Sequence, residues 1–280
     1  MAGKLQLTLL GTPQVILDGI RVTDFAYQKS PALLAYLAVT GHHHAREALA
    51  GLFWAEATGP NARASLRKVL ADLRRKVPDH LSISRHEVAF NRAATYSLDV
   101  EAFHMQISQA TRLSHNPLTE EGAACLSEAV ALYGGDFMEG FHVLRAAAFE
   151  EWVSLTREWL RMLALQAMHA LAGYHASRHA YDRSIGYMTK MLVLEPAEEE
   201  AHRAMMILLA LSGQRAAALR QYRFCCQALE ELGAEPLEET KALHERIRDG
   251  AWERASHPPE AYFWSGVVFP PELEYNAGRE

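Results

Sequence analysis

The sequence predicts an α+β winged helix-turn-helix at the N-terminus, followed by an all-α domain of tetratricopeptide-like helical repeats. Three observations carry that expectation. Short alternating apolar runs and three helical stretches fill the first hundred residues in the order of a winged helix. Charge is divided: residues 1–98 carry twelve Lys and Arg against seven Asp and Glu, a net +5, whereas residues 99–280 carry sixteen against twenty-seven, a net −11. Beyond residue 98 the apolar pattern recurs at a shift of 34 residues, the tetratricopeptide period. The expected domains are therefore 1–98, 99–250 and a linker or terminal extension at 251–280.

In the N-terminal part, Leu5, Leu7 and Leu9 alternate with polar residues, and Val15–Val22 reads as a strand pair turning at Asp18-Gly19. Leu33, Leu34 and Leu37 then recur at helical spacing, with Pro31 tolerable in a first turn and Gly41 as the stop. Arg46 to Trp54 forms a second short helix with Leu49, Leu52 and Phe53 on one side. Thr58-Gly-Pro-Asn61 breaks the chain, Asn61 caps a third helix over Ala62 to Val77, and Pro78 ends it. Leu81–Ser84 and Glu87–Phe90 make a hairpin with Arg85-His86 at its turn, Tyr96–Leu98 adds a strand, and Asp99 caps the long helical region. There the 34-residue shift superposes Leu171 on Met205, Ser184 on Ala218 and Met188 on Tyr222.

The third helix carries the chemistry. Leu66, Val69, Leu70, Leu73 and Val77 share one sector and must face a core. On the opposite side Arg63, Arg67, Lys68, Arg74 and Arg75 span a sector of about 140°, broken only by Ala64 and Ala71. Asp72 lies to the side, so neutralisation by pairs three or four residues apart is largely missing. Small alanines let a helix sink into the major groove of duplex DNA, where arginine forks read guanine edges or hold phosphates. Arg85 and Arg92 would serve the wing.

Other chemistries lack apparatus. With 49% hydrophobic residues the chain can build a core in each domain, and its longest apolar runs fall far short of the roughly 18 residues of a spanning helix. No phosphate loop, nucleophile elbow or dinucleotide fingerprint occurs, so no catalytic residue and no cofactor is expected. His42, His43 and His44 read as a solvated loop, and no zinc spacing exists. Cys125, Cys225 and Cys226 are odd in number, and a reducing cytoplasm is expected. Cys225 and Cys226 read as packing residues, and Glu198–Glu200 with Glu238-Glu239 as solvated helix starts. Trp152, Trp159, Tyr174, Tyr187 and Tyr222 are candidates for the lining of a concave peptide groove, against the commoner role of core aromatics.

Residues 1 to about 248 resemble the bacterial transcriptional activator domain proteins, whose best-known members regulate antibiotic pathways. The resemblance runs through Leu7-Thr-Leu-Leu-Gly11, Ala32-Leu-Leu-Ala-Tyr-Leu-Ala38, Leu52-Phe-Trp54, Asn61-Ala-Arg-Ala-Ser-Leu-Arg67 and Leu98-Asp-Val-Glu-Ala-Phe103. It continues in Tyr133-Gly-Gly-Asp-Phe137, Glu151-Trp152, Leu194-Glu-Pro196, Leu211-Ser-Gly213 and Leu232-Gly-Ala-Glu-Pro236. The chain departs from that pattern at Pro31 and Ala64, where the family commonly carries basic residues. The resemblance implies an OmpR-type winged helix, binding to repeated promoter sites and recruitment of RNA polymerase.

The expected function is that of a DNA-binding transcriptional regulator, an activator by resemblance. Its partners would be double-stranded DNA, RNA polymerase and a second copy of itself, with no membrane. The alternatives are a helical-repeat adaptor, or the N-terminal regulatory module of a larger signalling protein.

Overall fold

Leu5 and Leu7 turn inward and Gln6 and Thr8 outward, and this alternation makes β1 (Leu5–Thr8) the centre of the first sheet in the computed structural model. The structure describes residues 3–113 and 118–250; the tail expected at 251–280 lies outside the described residues. β1 pairs antiparallel with β2 (Gln14–Leu17), which pairs with β3 (Ile20–Arg21). Asp18 and Gly19 turn that hairpin with φ of 51° and 80°, the double left-handed conformation of a two-residue turn that favours Asp-Gly. A tripeptide near residue 98, β7 (Tyr96–Leu98), returns to lie parallel to β1, giving the order β3-β2-β1-β7.

Between the sheet strands come α1 (Lys29–Thr40), β4 (His44–Ala45), α2 (Arg46–Trp54), α3 (Gly59–Lys76), β5 (Leu81–Ile83) and β6 (Glu87–Phe90). Gly41 closes α1 at φ 71° and donates its N–H to Leu37, as a left-handed helix stop does. The third helix starts three residues earlier than expected. Thr58 is extended, Pro60 sits in the first turn and Asn61 is already helical, because a proline lacks only an N–H that the first turn leaves unpaired anyway. The two-residue β4 escapes any periodicity argument. It pairs with β6 through His44 and Val88, making a second sheet of order β4-β6-β5.

His44 is accordingly no loop residue: it is buried, its Nε2 lies 2.7 Å from Thr40 Oγ1, and its ring packs on Tyr36. Only His42 and His43 are exposed. Burial, and secondarily the neighbouring His42 and His43, push His44 down to about 4.

The remaining described elements are helical: α4 (Asp99–Leu113), α5 (Glu120–Leu132), α6 (Ala147–Ser177), α7 (Tyr181–Leu194), α8 (Glu199–Leu211), α9 (Arg215–Glu230) and α10 (Glu238–Arg248). The chain divides into two compact units. One combines residues up to 105 with Ala131–Met162; the other combines Gln106–Val130 with the helices from Leu163 onward.

In the first unit Asp99 does more than cap. Its Oδ2 accepts the N–H of Leu9 (2.7 Å) and of Leu10 (2.8 Å), while Oδ1 accepts that of Val100 (2.8 Å). The loop 133–141 docks on the end of β1: Met138 N–H donates to Leu9 O, and Gly11 N–H to Asp136 O, at 2.8 and 3.0 Å. Trp152 packs at 4.8 Å on Tyr36, and Phe149 at 4.8 Å on Phe53. These rings tie residues 131–162 to the core of the winged helix, with Phe137 and Phe149 fully buried.

In the second unit the repeat positions Ser184 and Ala218 are both fully buried. Ser184 Oγ donates to Ala172 O at 2.6 Å, so a small side chain is needed for helices to approach. Cys225 is buried, which pushes its thiol up to about 12, and it serves as a small apolar residue. Glu199 is not simply solvated: it accepts the N–H of Leu237 at 2.7 Å and lies 3.8 Å from Arg203. No helix among the described residues is long and apolar enough to cross a membrane.

Candidate nucleic-acid interface

The α3 helix is sorted by its own sequence. Ala62, Leu66, Val69, Leu70 and Leu73 are buried, against α1 and α2, leaving Arg63, Arg67, Lys68, Arg74 and Arg75 exposed. Arg63, Arg67 and Arg74 lie within about 40° of one another and run roughly 16 Å along the axis at 1.5 Å per residue. Ala71 is exposed between them and Ala64 is half-buried.

Asp72 holds this face in place, a role hidden in the sequence. It is fully buried, and its Oδ2 accepts the Ser30 hydroxyl at 2.7 Å and the Ala26 N–H at 3.0 Å. Because α1 has no side-chain cap of its own, a carboxylate from α3 supplies acceptors at its start. Any rotation of α3 about its axis would leave the Ser30 hydroxyl buried and unpaired, at about 1–3 kcal/mol.

The cations differ in freedom. Arg75 reaches back to Asp72 at 3.3 Å, and Arg63 lies 3.9 Å from Glu47. Lys76 is bound by Asp24. Among the described residues Arg67, Lys68 and Arg74 make no ion pair or hydrogen bond, so their charge is available to a polyanion. Three basic residues in the last turn, Arg74 to Lys76, also complement the helix dipole.

The wing is built on Ser84. Its N–H donates to Glu87 O at 2.9 Å, and its hydroxyl accepts the N–H groups of Glu87 (2.9 Å) and His86 (3.2 Å). Arg85 and His86 are thereby held exposed at the tip, and Arg85 has no ion pair among the described residues. Arg46, absent from the sequence reading of the site, stands behind the tip and donates to Ser84 O at 3.1 Å. Arg92 is placed elsewhere. It follows β6, lies against Gly41, and donates to Glu101 Oε1 at 2.8 Å and to the Tyr96 hydroxyl at 3.3 Å.

Of the aromatics considered for a peptide groove, Trp152 is half-buried against Tyr36, Trp159 faces His104 and Tyr222 stacks on His244 at 4.1 Å. Tyr174 and Tyr187 do line a groove. Among the described residues no group of His, Cys, Asp and Glu is placed to hold a metal ion.

Three helices, a hairpin with a cationic tip and an exposed arginine face define a winged-helix regulator coupled to a tetratricopeptide-type helical region. A family model for the bacterial transcriptional activator domain matches residues 98–248. The match covers more than half of the chain, which belongs to that family. Among solved structures, the chain is similar to Mycobacterium tuberculosis EmbR, determined in complex with a low affinity phosphopeptide. The TM-score is 0.66 at 19% identity, covering 93% of this chain and 68% of that one. At that identity the likeness concerns the fold. No curated protein matches in sequence.

Proposed function

We propose that the chain is a transcriptional activator of this family that binds duplex promoter DNA through α3 and the β5–β6 wing, residues 1–98 carrying the contacts. Arg63, Arg67, Lys68 and Arg74 reach bases or phosphates in the major groove, Arg75 sits at its edge and Arg85 holds the backbone beside the wing. Arg92, engaged by Glu101, orients the loop after β6 and contributes least to DNA. The observation that carries the reading is the exposed face of α3 on which Arg67, Lys68 and Arg74 have no partner among the described residues. A buried Asp72 fixes that face.

The helical region then meets RNA polymerase or a second copy, in the cytoplasm where promoter DNA is found, and no catalytic step or cofactor is needed. The test is a gel-shift titration of upstream DNA at two salt concentrations with nonspecific competitor. Specific, salt-sensitive retardation is the expected result. A folded protein that retards neither those fragments nor any product of random-site selection would favour the protein-binding adaptor.

A further inference from the structure

In the second compact unit, α5, the end of α6 and α7 enclose an open groove of about 510 Å3, within the usual range of roughly 300–1,000 Å3 for ligand sites. Helical spacing builds it. Ala123, Ala124 and Ser127 share one face of α5, and Arg183, Gly186, Tyr187 and Lys190 share one face of α7. Small residues on both sides keep the floor open. The aromatic wall is fixed by two helices: Tyr187 stacks on His175 with planes 5° apart, and its hydroxyl lies 3.3 Å from Ser127 Oγ.

Charge in the groove runs against that of its surroundings. Residues 99–280 carry a net −11, yet the lining contains Arg183 and Lys190 against Glu120 alone among carboxylates. Both cations are exposed, and neither makes an ion pair among the described residues. Arg178, outside the lining, stands 3.7 Å over the ring of the lining residue Tyr174. Burial, followed by the Arg183 and Arg178 charges, holds His175 below its ordinary value, which disfavours its charged form and leaves the ring a stacking partner for Tyr187.

We propose that this groove binds an acidic peptide segment of a partner protein, its carboxylates on Arg183 and Lys190 and an apolar side chain against Tyr187. Cations without a carboxylate partner give the selectivity, Lys190 standing 5.8 Å over the Tyr187 ring, and the aromatic wall supplies desolvated contact area. The proposal rests on the groove alone and stands whether or not α3 binds DNA.

The full chain is titrated with fluorescein-labelled decapeptides of alternating Glu and Leu or Phe, and with versions carrying Gln or Lys in place of Glu, followed by anisotropy. The acidic peptides should saturate. Arg183→Glu with Lys190→Glu should weaken them by about tenfold or more, and Tyr187→Ala should weaken them separately, with thermal melting and DNA affinity of the charge variant unchanged. Equal binding of Glu and Gln peptides, an unaffected charge variant, or no saturable binding of any acidic peptide up to about 1 mM would each overturn the proposal. Acidic-peptide binding by a protein that ignores DNA would sink the DNA reading alone.

Discussion

Replacing Arg67 and Arg74 together by alanine removes two of the four cations that stand without partners on α3 and at the wing tip, the others being Lys68 and Arg85. If each of the four neutralises one phosphate, log affinity falls with log salt at a slope of about −3.6, since each contact adds about 0.9 on B-DNA. Raising salt from 50 to 200 mM then costs the unaltered protein about 150-fold in affinity, and the double variant only about 12-fold. Neither arginine bonds to the rest of the described protein, so stability should change by no more than about 0.5 kcal/mol. The assay is fluorescence anisotropy on a labelled operator at four salt concentrations, with a thermal melt of both proteins. A double variant that keeps the full salt dependence would refute the assignment of α3, and a slope near zero for the unaltered protein would refute DNA binding itself.

Asp72→Ala should destabilise the first unit by about 1–3 kcal/mol, because the buried Ser30 hydroxyl loses its acceptor while the exposed Ala26 N–H can turn to water; additivity with Ser30→Ala in urea melts would contradict the coupling. His44 is held at about 4 in the fold against 6.5 for an ordinary histidine. Between those values the unfolded chain takes up a proton that the folded chain refuses. Its contribution is therefore fully present above pH 6.5 and lost as pH falls toward 4, over a span of about 3 kcal/mol. His44→Gln should flatten that part of the stability profile, and an unchanged profile would show that other groups set it. A fragment ending at residue 98 lacks Asp99, Phe137, Phe149 and Trp152, and large aromatics are worth about 3–5 kcal/mol each in a core. It should show no cooperative unfolding by near-ultraviolet circular dichroism, and a sharp transition would disprove the need for residues 131–162.

What could be read from the residues follows from period and from range. The cationic face of α3 was legible because a wheel needs only one helix, and the Asp18-Gly19 turn because its chemistry is local. The repeat positions Ser184 and Ala218 were likewise visible from spacing. β4 was not, since two residues have no period. Asp72 and Asp99 look like surface acids in sequence and are buried or half-buried acceptors in the fold, because their donors, Ser30 and Leu9, lie 42 and 90 residues away. Arg75 bonding to Asp72 was within reach of the three-residue rule, whereas Arg92 bonding to Glu101 joins a loop to a helix and gives no periodic signal.

The docking of residues 133–141 on the end of β1 has a consequence in time. A ribosome adding about 5–20 residues per second needs on the order of 3–13 s to pass from residue 98 to residue 162. During that interval α3 has been made but the rings of Phe149 and Trp152, which cover Phe53 and Tyr36, have not. The nascent chain thus carries its arginine face past the anionic ribosome before the fold that orients it can close, and on the proposed reading α3 takes up its DNA-facing orientation only once the first half of α6 has emerged.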